Sequence, residues 1–161
     1  HYFRRELGAC RVATDRVLKL NPRDTSNIAM AGLLIAFAGD WELGKSVVER
    51  GVAMNPHHAG WFHGILMWYY YRQREYRKAL AEAEKWNMPW YPWNHAGMAI
   101  CHAQLGNHEA AQKHLDNLLK LSPRYGKIAR LDLSKWFVSE EHVEHALEGF
   151  VKAGLTIDDP A

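Results

Sequence analysis

The sequence predicts an all-α solenoid of stacked two-helix repeats, closed by a C-terminal helix. Three observations carry that expectation. Asn-Pro steps end "ATDRVLKLNP" and "GVAMNP", and Pro22 and Pro56 stand 34 residues apart (56 − 22 = 34). Between them apolar residues recur at helical spacing in two runs, Ile28, Ala31, Ile35 and Ala38, then Leu43, Val47, Val48 and Met54. Gly39-Asp40 separates the runs, and glycine readily takes the left-handed conformation that ends a helix. A helix–turn–helix of this length cannot bury its apolar face alone, so it must stack on neighbours.

The units follow in order. Residues 1–22 read as the second helix of a repeat, "ELGACRVATDRVLKLNP", whose first helix is represented by "HYFRR" alone. The chain is therefore expected to start mid-repeat, as a piece of a longer protein. Residues 23–56 form a full unit. Residues 57–90 form an irregular one, "AGWFHGILMWYYYRQ" and "EYRKALAEAEKW", with one extra residue near Tyr70-Tyr71 and an early end at "NMP". Residues 91–125 form the next, with Gly106 at the turn and Ala111, Leu115, Leu118 and Leu121 on the packing face. In 126–161 Ser139 is the expected N-cap, followed by Glu140 and Glu141 in the first turn. Val143, Ala146, Leu147, Phe150 and Val151 make the apolar stripe of a capping helix, Gly154 ends it, and the tail "TIDDPA" is expected to fray.

Position by position, the unit at 23–56 resembles the tetratricopeptide repeat (TPR). Gly32, Gly44 and Gly51 fall at its small-residue positions, Gly39-Asp40 at its inter-helix turn and Pro56 at its closing proline; Ile28 and Ile35 replace the usual aromatics. The resemblance implies a right-handed solenoid in which the first helix of each unit lines a concave groove. In that register the groove carries Ser26, Ala29, Leu33 and Phe37, then His63, Met67, Tyr70 and Tyr71, then Trp93, Ala96 and Ile100. The Lys, Arg and Asn of a clamp for peptide carboxylates are missing. Such a groove suits an apolar peptide or helix, or is covered by the chain's own segments. A narrower resemblance rests on "GDWELGKSVVERGVAMNPHHAGWFH", "YRKALAEAEKWNMP", "HAQLGNHEAAQKHLDNLLKLSP" and "EHVEHALEGFVKAGL". Together they look like the C-terminal TPR region of bacterial multidomain signalling proteins that carry a class III adenylate/guanylate cyclase or a winged-helix domain with a TolB-like segment.

Composition narrows the function. With 20 basic against 18 acidic residues the net charge is +2, which argues against nucleic-acid binding. No apolar run approaches the roughly 20 residues of a membrane span, so no membrane insertion is expected. The N-terminus does not read as a signal peptide. The compartment stays open, with cytoplasm favoured over periplasm. Cys10 and Cys101 form no CxxC pair and read as packing residues. His57-His58, His142/His145 and His95/His102 lack the three or four convergent ligands of a zinc site, so no metal and no cofactor is expected. No GxSxG elbow or phosphate-cradling glycine loop occurs, and no catalytic residue is assigned. "KWNMPWYPWN" reads either as a plug in the irregular stack or as an exposed aromatic platform. The expected function is a non-enzymatic module for protein interaction or self-association, with Leu7, Val17 and Leu18 as candidates for a homodimer contact. The alternative is a sensor for a small molecule or apolar peptide in the groove at Leu33, Phe37, His63, Met67, Tyr70, Tyr71, Trp93 and Ile100.

Overall fold

In the computed structural model, which describes residues 1–158, the regular structure is helical: a 3-10 turn at Tyr2–Arg4 and nine α-helices. Helix α1 (Leu7–Leu20) packs on α2 (Thr25–Phe37), which forms a hairpin with α3 (Trp41–Met54). Two more hairpins follow, α4 (Trp61–Arg72) with α5 (Tyr76–Trp86) and α6 (Pro92–Gln104) with α7 (His108–Leu121). Helices α8 (Tyr125–Trp136) and α9 (Glu140–Lys152) complete the chain.

Local chemistry explains the punctuation. Asp24 and Asp40 cap α2 and α3 by accepting from the Asn27 and Leu43 amides at 3.0 and 3.3 Å. Gly39 and Gly106 close their turns at φ 117° and 76°, and Arg74 takes the same place in the middle hairpin at φ 61°. After each, the next amide reaches back five residues, from Asp40 to Ile35, Glu75 to Tyr70 and Asn107 to His102. A side chain at Arg74 makes its turn the strained one of the three. The Asn-Pro step also has a physical reason. The Asn55 side chain accepts from the His57 amide at 3.0 Å, across Pro56, and donates to Thr25 at 3.4 Å. It thereby ties the end of the unit to its beginning.

Several C-terminal details differ from expectation. Ser139 stands at the N-cap of α9 in extended backbone, but its side chain makes no capping bond; its carbonyl instead accepts from His142 and Val143 at 3.2 and 3.3 Å. Val151 is 58% exposed, so the buried stripe is Val143, Ala146, Leu147 and Phe150. Leu121, at the end of α7, is exposed as well. Helix α9 lies on α6, where Gly149 approaches Ile100 and the Tyr71 hydroxyl. The chain beyond α9 stays packed through residue 158. Leu155 is buried, Ile157 packs on the core, and the Asp158 amide donates to Gly126 at 3.2 Å. Two apolar anchors thus replace fraying there; residues 159–161 of the tail lie outside the described residues.

The two ends of the fold meet. The Tyr2 hydroxyl donates to the Trp136 carbonyl, Arg5 donates to the carbonyls of Ser134 and Phe137, and the Phe3 ring meets Trp136 edge-on at 5.1 Å. Phe137, at the corner between α8 and α9, wedges among Phe37 at 5.0 Å, Trp68 at 4.9 Å and Trp41 at 6.3 Å. The chain's own C-terminal part therefore fills one side of the inner face made by α2 and α4. Both cysteines are buried and free.

Candidate functional site

What Phe137 leaves of the inner face is a cavity of about 300 Å³. Helix α2 contributes Met30, Leu33 and Phe37, and α4 contributes Trp61, Gly64, Ile65 and Trp68. Both sets have the i, i+3/i+4, i+7 spacing of one helix face. The far wall is Trp86, Met88, Tyr91 and Trp93 from the stretch joining α5 to α6, and Trp136 of α8 completes it.

Glycines make room for this wall. A Cβ on Gly64 would lie 2.7 Å from the Trp86 ring, and one on Gly60 would run into the Trp86 carbonyl. The bare start of α4 thus lets Trp86 sink to 4% exposure. The connector is also pinned. Buried Asn94 accepts from the Met88 amide at 3.0 Å and donates to the Ala83 carbonyl at 3.1 Å, and His95 Nε2 donates to the Pro89 carbonyl at 2.9 Å. Trp86 is therefore a plug, whereas Trp90 stands 68% exposed. The wall bears no Lys or Arg; on α8, Asp132 stands one turn before Trp136 and Lys135 directly before it. Burial raises the Asp132 carboxyl, while Lys135 and a hydrogen bond from Trp93 act to lower it.

Of the expected groove residues, the fold brings Leu33, Phe37 and Trp93 together at the cavity. Met67, Tyr71 and Ile100 lie in the core instead, Met67 against Gly97, Tyr71 stacked on His145 at 4.6 Å and Ile100 against Gly149. Tyr70 turns toward Lys78, 5.5 Å from its ring. Leu7 packs on the core beside α2, Leu18 packs with Ile28, Ile35 and Val47, and Val17 is half-buried. The inward face of α4 is Trp61-Gly64-Ile65-Trp68, two residues out of step with the expected one. The sequence signal was the pairing of Gly60 and Gly64 with a Trp at either end of the same face.

His63 belongs to a chain of hydrogen bonds. It lies 2.7 Å from Glu82 through Nδ1 and 2.9 Å from His58 through Nε2, and His58 Nδ1 lies 2.8 Å from the Asn55 carbonyl. An acceptor stands at each end, so three bonds need three protons, one more than two neutral imidazoles carry. The negative counterpart is Glu82. Burial raises its carboxyl, but the bonds from His63 and Lys85 outweigh it and leave it lowered.

A second cluster joins His95, His102 and His114. His95 and His114 are bonded through their Nδ1 atoms at 3.1 Å, and His102 stacks on His114 at 5.7 Å. Burial, reinforced by His95, His102 and Lys113, lowers His114 from 6.5 to about 4. Burial likewise lowers His102, His142 and His145. Among the described residues, no three His, Cys, Asp or Glu side chains converge as metal ligands would. The consequence is a pH dependence. Between pH 6.5 and about 4 the unfolded chain binds protons that folded His114 refuses, so stability falls as pH falls through that window. Asp132, which is raised, works in the opposite sense. We expect His114 to account for about 1 kcal/mol after solvent screening, or roughly 2–4 °C. His114→Gln should flatten the fall of melting temperature between pH 7 and 5; an unchanged slope would show that the other histidines carry it.

No protein-family model matches the chain, and no curated protein matches it. Among solved structures the chain is similar to the crystal structure of MamA, with a TM-score of 0.62 and 14% identity over 89% of this chain and 84% of that one. At that identity the likeness is one of fold, a TPR-like helical solenoid. No helix among the described residues is long and apolar enough to cross a membrane.

Proposed function

We propose that this solenoid is a non-enzymatic recognition module whose scaffold holds one small, aromatic-walled cavity for a single group presented by a partner. The observation that carries this reading is the cavity itself. Its volume, about 300 Å³, is at the low end of the roughly 300–1,000 Å³ of ligand sites, and Asn94 and His95 hold one wall in place. The fold favours a protein partner, since stacked repeats present extended binding surfaces. The phrases that resemble TPR regions of bacterial signalling proteins support a regulatory setting beside an output domain.

The test is a neutral apolar fluorophore, N-phenyl-1-naphthylamine. The chain should bind it at one equivalent, with a blue shift and quenching of indole emission. Met30→Trp adds bulk at the half-exposed edge of the cavity and should cut that binding by about tenfold without loss of helicity. A parent chain that does not bind the probe, or a Met30→Trp variant that binds it as the parent does, overturns this reading.

A further inference from the structure

We propose that the cavity binds a methylated ammonium cation, of the size of a choline head, between its ring faces, with Asp132 as counter-charge at the edge. This rests on the cavity being a recognition site and names the chemistry of its ligand.

Seven of the twelve lining residues are aromatic: Trp61, Trp68, Trp86, Trp93 and Trp136, with Tyr91 and Phe37. Neighbouring rings meet edge to face. Trp68 and Trp93 are 5.9 Å apart at 65°, Trp93 and Trp136 6.2 Å at 73°, and Phe37 and Trp136 6.2 Å at 83°. Rings set near right angles form the sides of a box, where parallel rings would form a stack. The face of each ring is the negative end of its quadrupole, and a cation within about 6 Å of several faces is attracted to all of them.

The occupant's kind follows from what the walls lack. A primary ammonium needs three hydrogen-bond acceptors, and the wall offers one side-chain hydroxyl, that of Tyr91, among indole, phenyl, thioether and aliphatic groups. A methylated ammonium needs none, and it presents methyl groups to the rings while keeping its charge. Asp132 argues against a purely neutral occupant. Its carboxylate is half-buried, and burial raises it although the charge of Lys135 and a hydrogen bond from Trp93 act to lower it. Burial of this carboxylate outweighs the charge of Lys135, an uncompensated buried charge is destabilising, and a cation seated against Trp93 adds to what Lys135 supplies. No Lys or Arg lines the wall to compete for the rings.

Calorimetric titration of the chain with choline and with 3,3-dimethylbutan-1-ol, its neutral carbon isostere, is the test. We expect one choline per chain, with the isostere at least about tenfold weaker. Asp132→Asn should weaken choline by about tenfold and leave the isostere within twofold, with an unchanged circular dichroism spectrum. Equal affinities of the parent for choline and isostere overturn the cation and leave an apolar site standing. Failure of both ligands together with the naphthylamine probe overturns the cavity reading beneath it. A peptide bearing one trimethyl-lysine separates the sources: tighter binding than choline assigns the cation to a partner protein, weaker binding to a free small molecule.

Discussion

Gly32→Leu lowers the melting temperature by at least about 6 °C, and Gly8→Leu leaves it unchanged or raises it. The difference lies in what each side chain meets. A Cβ on Gly32 would lie 2.7 Å from Val48 Cγ2, 2.9 Å from the Gly44 carbonyl and 3.1 Å from the Val48 amide. Two of the three are backbone, so a rotamer change in α3 cannot relieve the crowding. The facing Gly44 is as tight, its Cβ position being 2.5 Å from Ala36 Cβ and 2.6 Å from the Gly32 carbonyl. Opening α2 from α3 to admit a leucine strips packing from Ile28, Ala36 and Val48, all at most 1% exposed. Overpacking of this kind costs about 1–3 kcal/mol or more, a large part of the roughly 5–15 kcal/mol that holds a domain folded. Gly8 has nothing within 4 Å of its Cβ position, and replacing an exposed helical glycine removes a conformational penalty. Thermal unfolding followed at 222 nm compares the three chains. A Gly32→Leu melting point within about 2 °C of the parent would mean that α2 and α3 do not approach as described.

Deletion of residues 139–161 produces a chain that aggregates or loses cooperative unfolding. Helix α9 buries Val143, Leu147 and Phe150, and Leu155 follows it. At about 1.5–3 kcal/mol for each large apolar side chain, these four supply roughly 6–12 kcal/mol as an upper bound, comparable to the whole stability of a domain. The surface left behind is worse than merely bare. Tyr71 loses its stacking partner His145, Tyr76 loses a 2.9 Å hydrogen bond to the same ring, and Tyr125 loses Phe150 at 5.3 Å. Ile100, fully buried in the intact chain, is uncovered where Gly149 touched it. Uncapped solenoid ends are poorly soluble. Size-exclusion chromatography with light scattering decides the matter: a monomeric, fully helical truncated chain would show that α9 is dispensable.

Taken alone, the sequence determined the kind of fold, because its strongest signals are local. A helix end needs only a left-handed residue such as Gly39 or Gly106, a cap such as Asp24 or Asp40, and an Asn-Pro step. Each acts within a few residues, so each can be read without knowing what packs on it. The tight packing at Gly32 and Gly44 was legible through the resemblance to the TPR, which places both at small-residue positions. The site was legible only in pieces. Leu33, Phe37 and Trp93 fell on the inner face, but in α4, "WFHGILMWYYYR", almost every position is apolar, so periodicity could not say which face turns inward. That choice was made by neighbours distant in sequence. Trp86 needed the space at Gly60 and Gly64, and Tyr71 found His145 and Gly149 on α9. The cavity depends on tertiary structure most of all: Trp136 closes one side of it and Phe137 fills the space beyond. They stand there because the corner between α8 and α9 folds back over the first helices, held by Tyr2 and Arg5 some 130 residues earlier. No local propensity encodes a meeting of that separation; it follows from the curvature of the stack, which brings its two ends to one inner face.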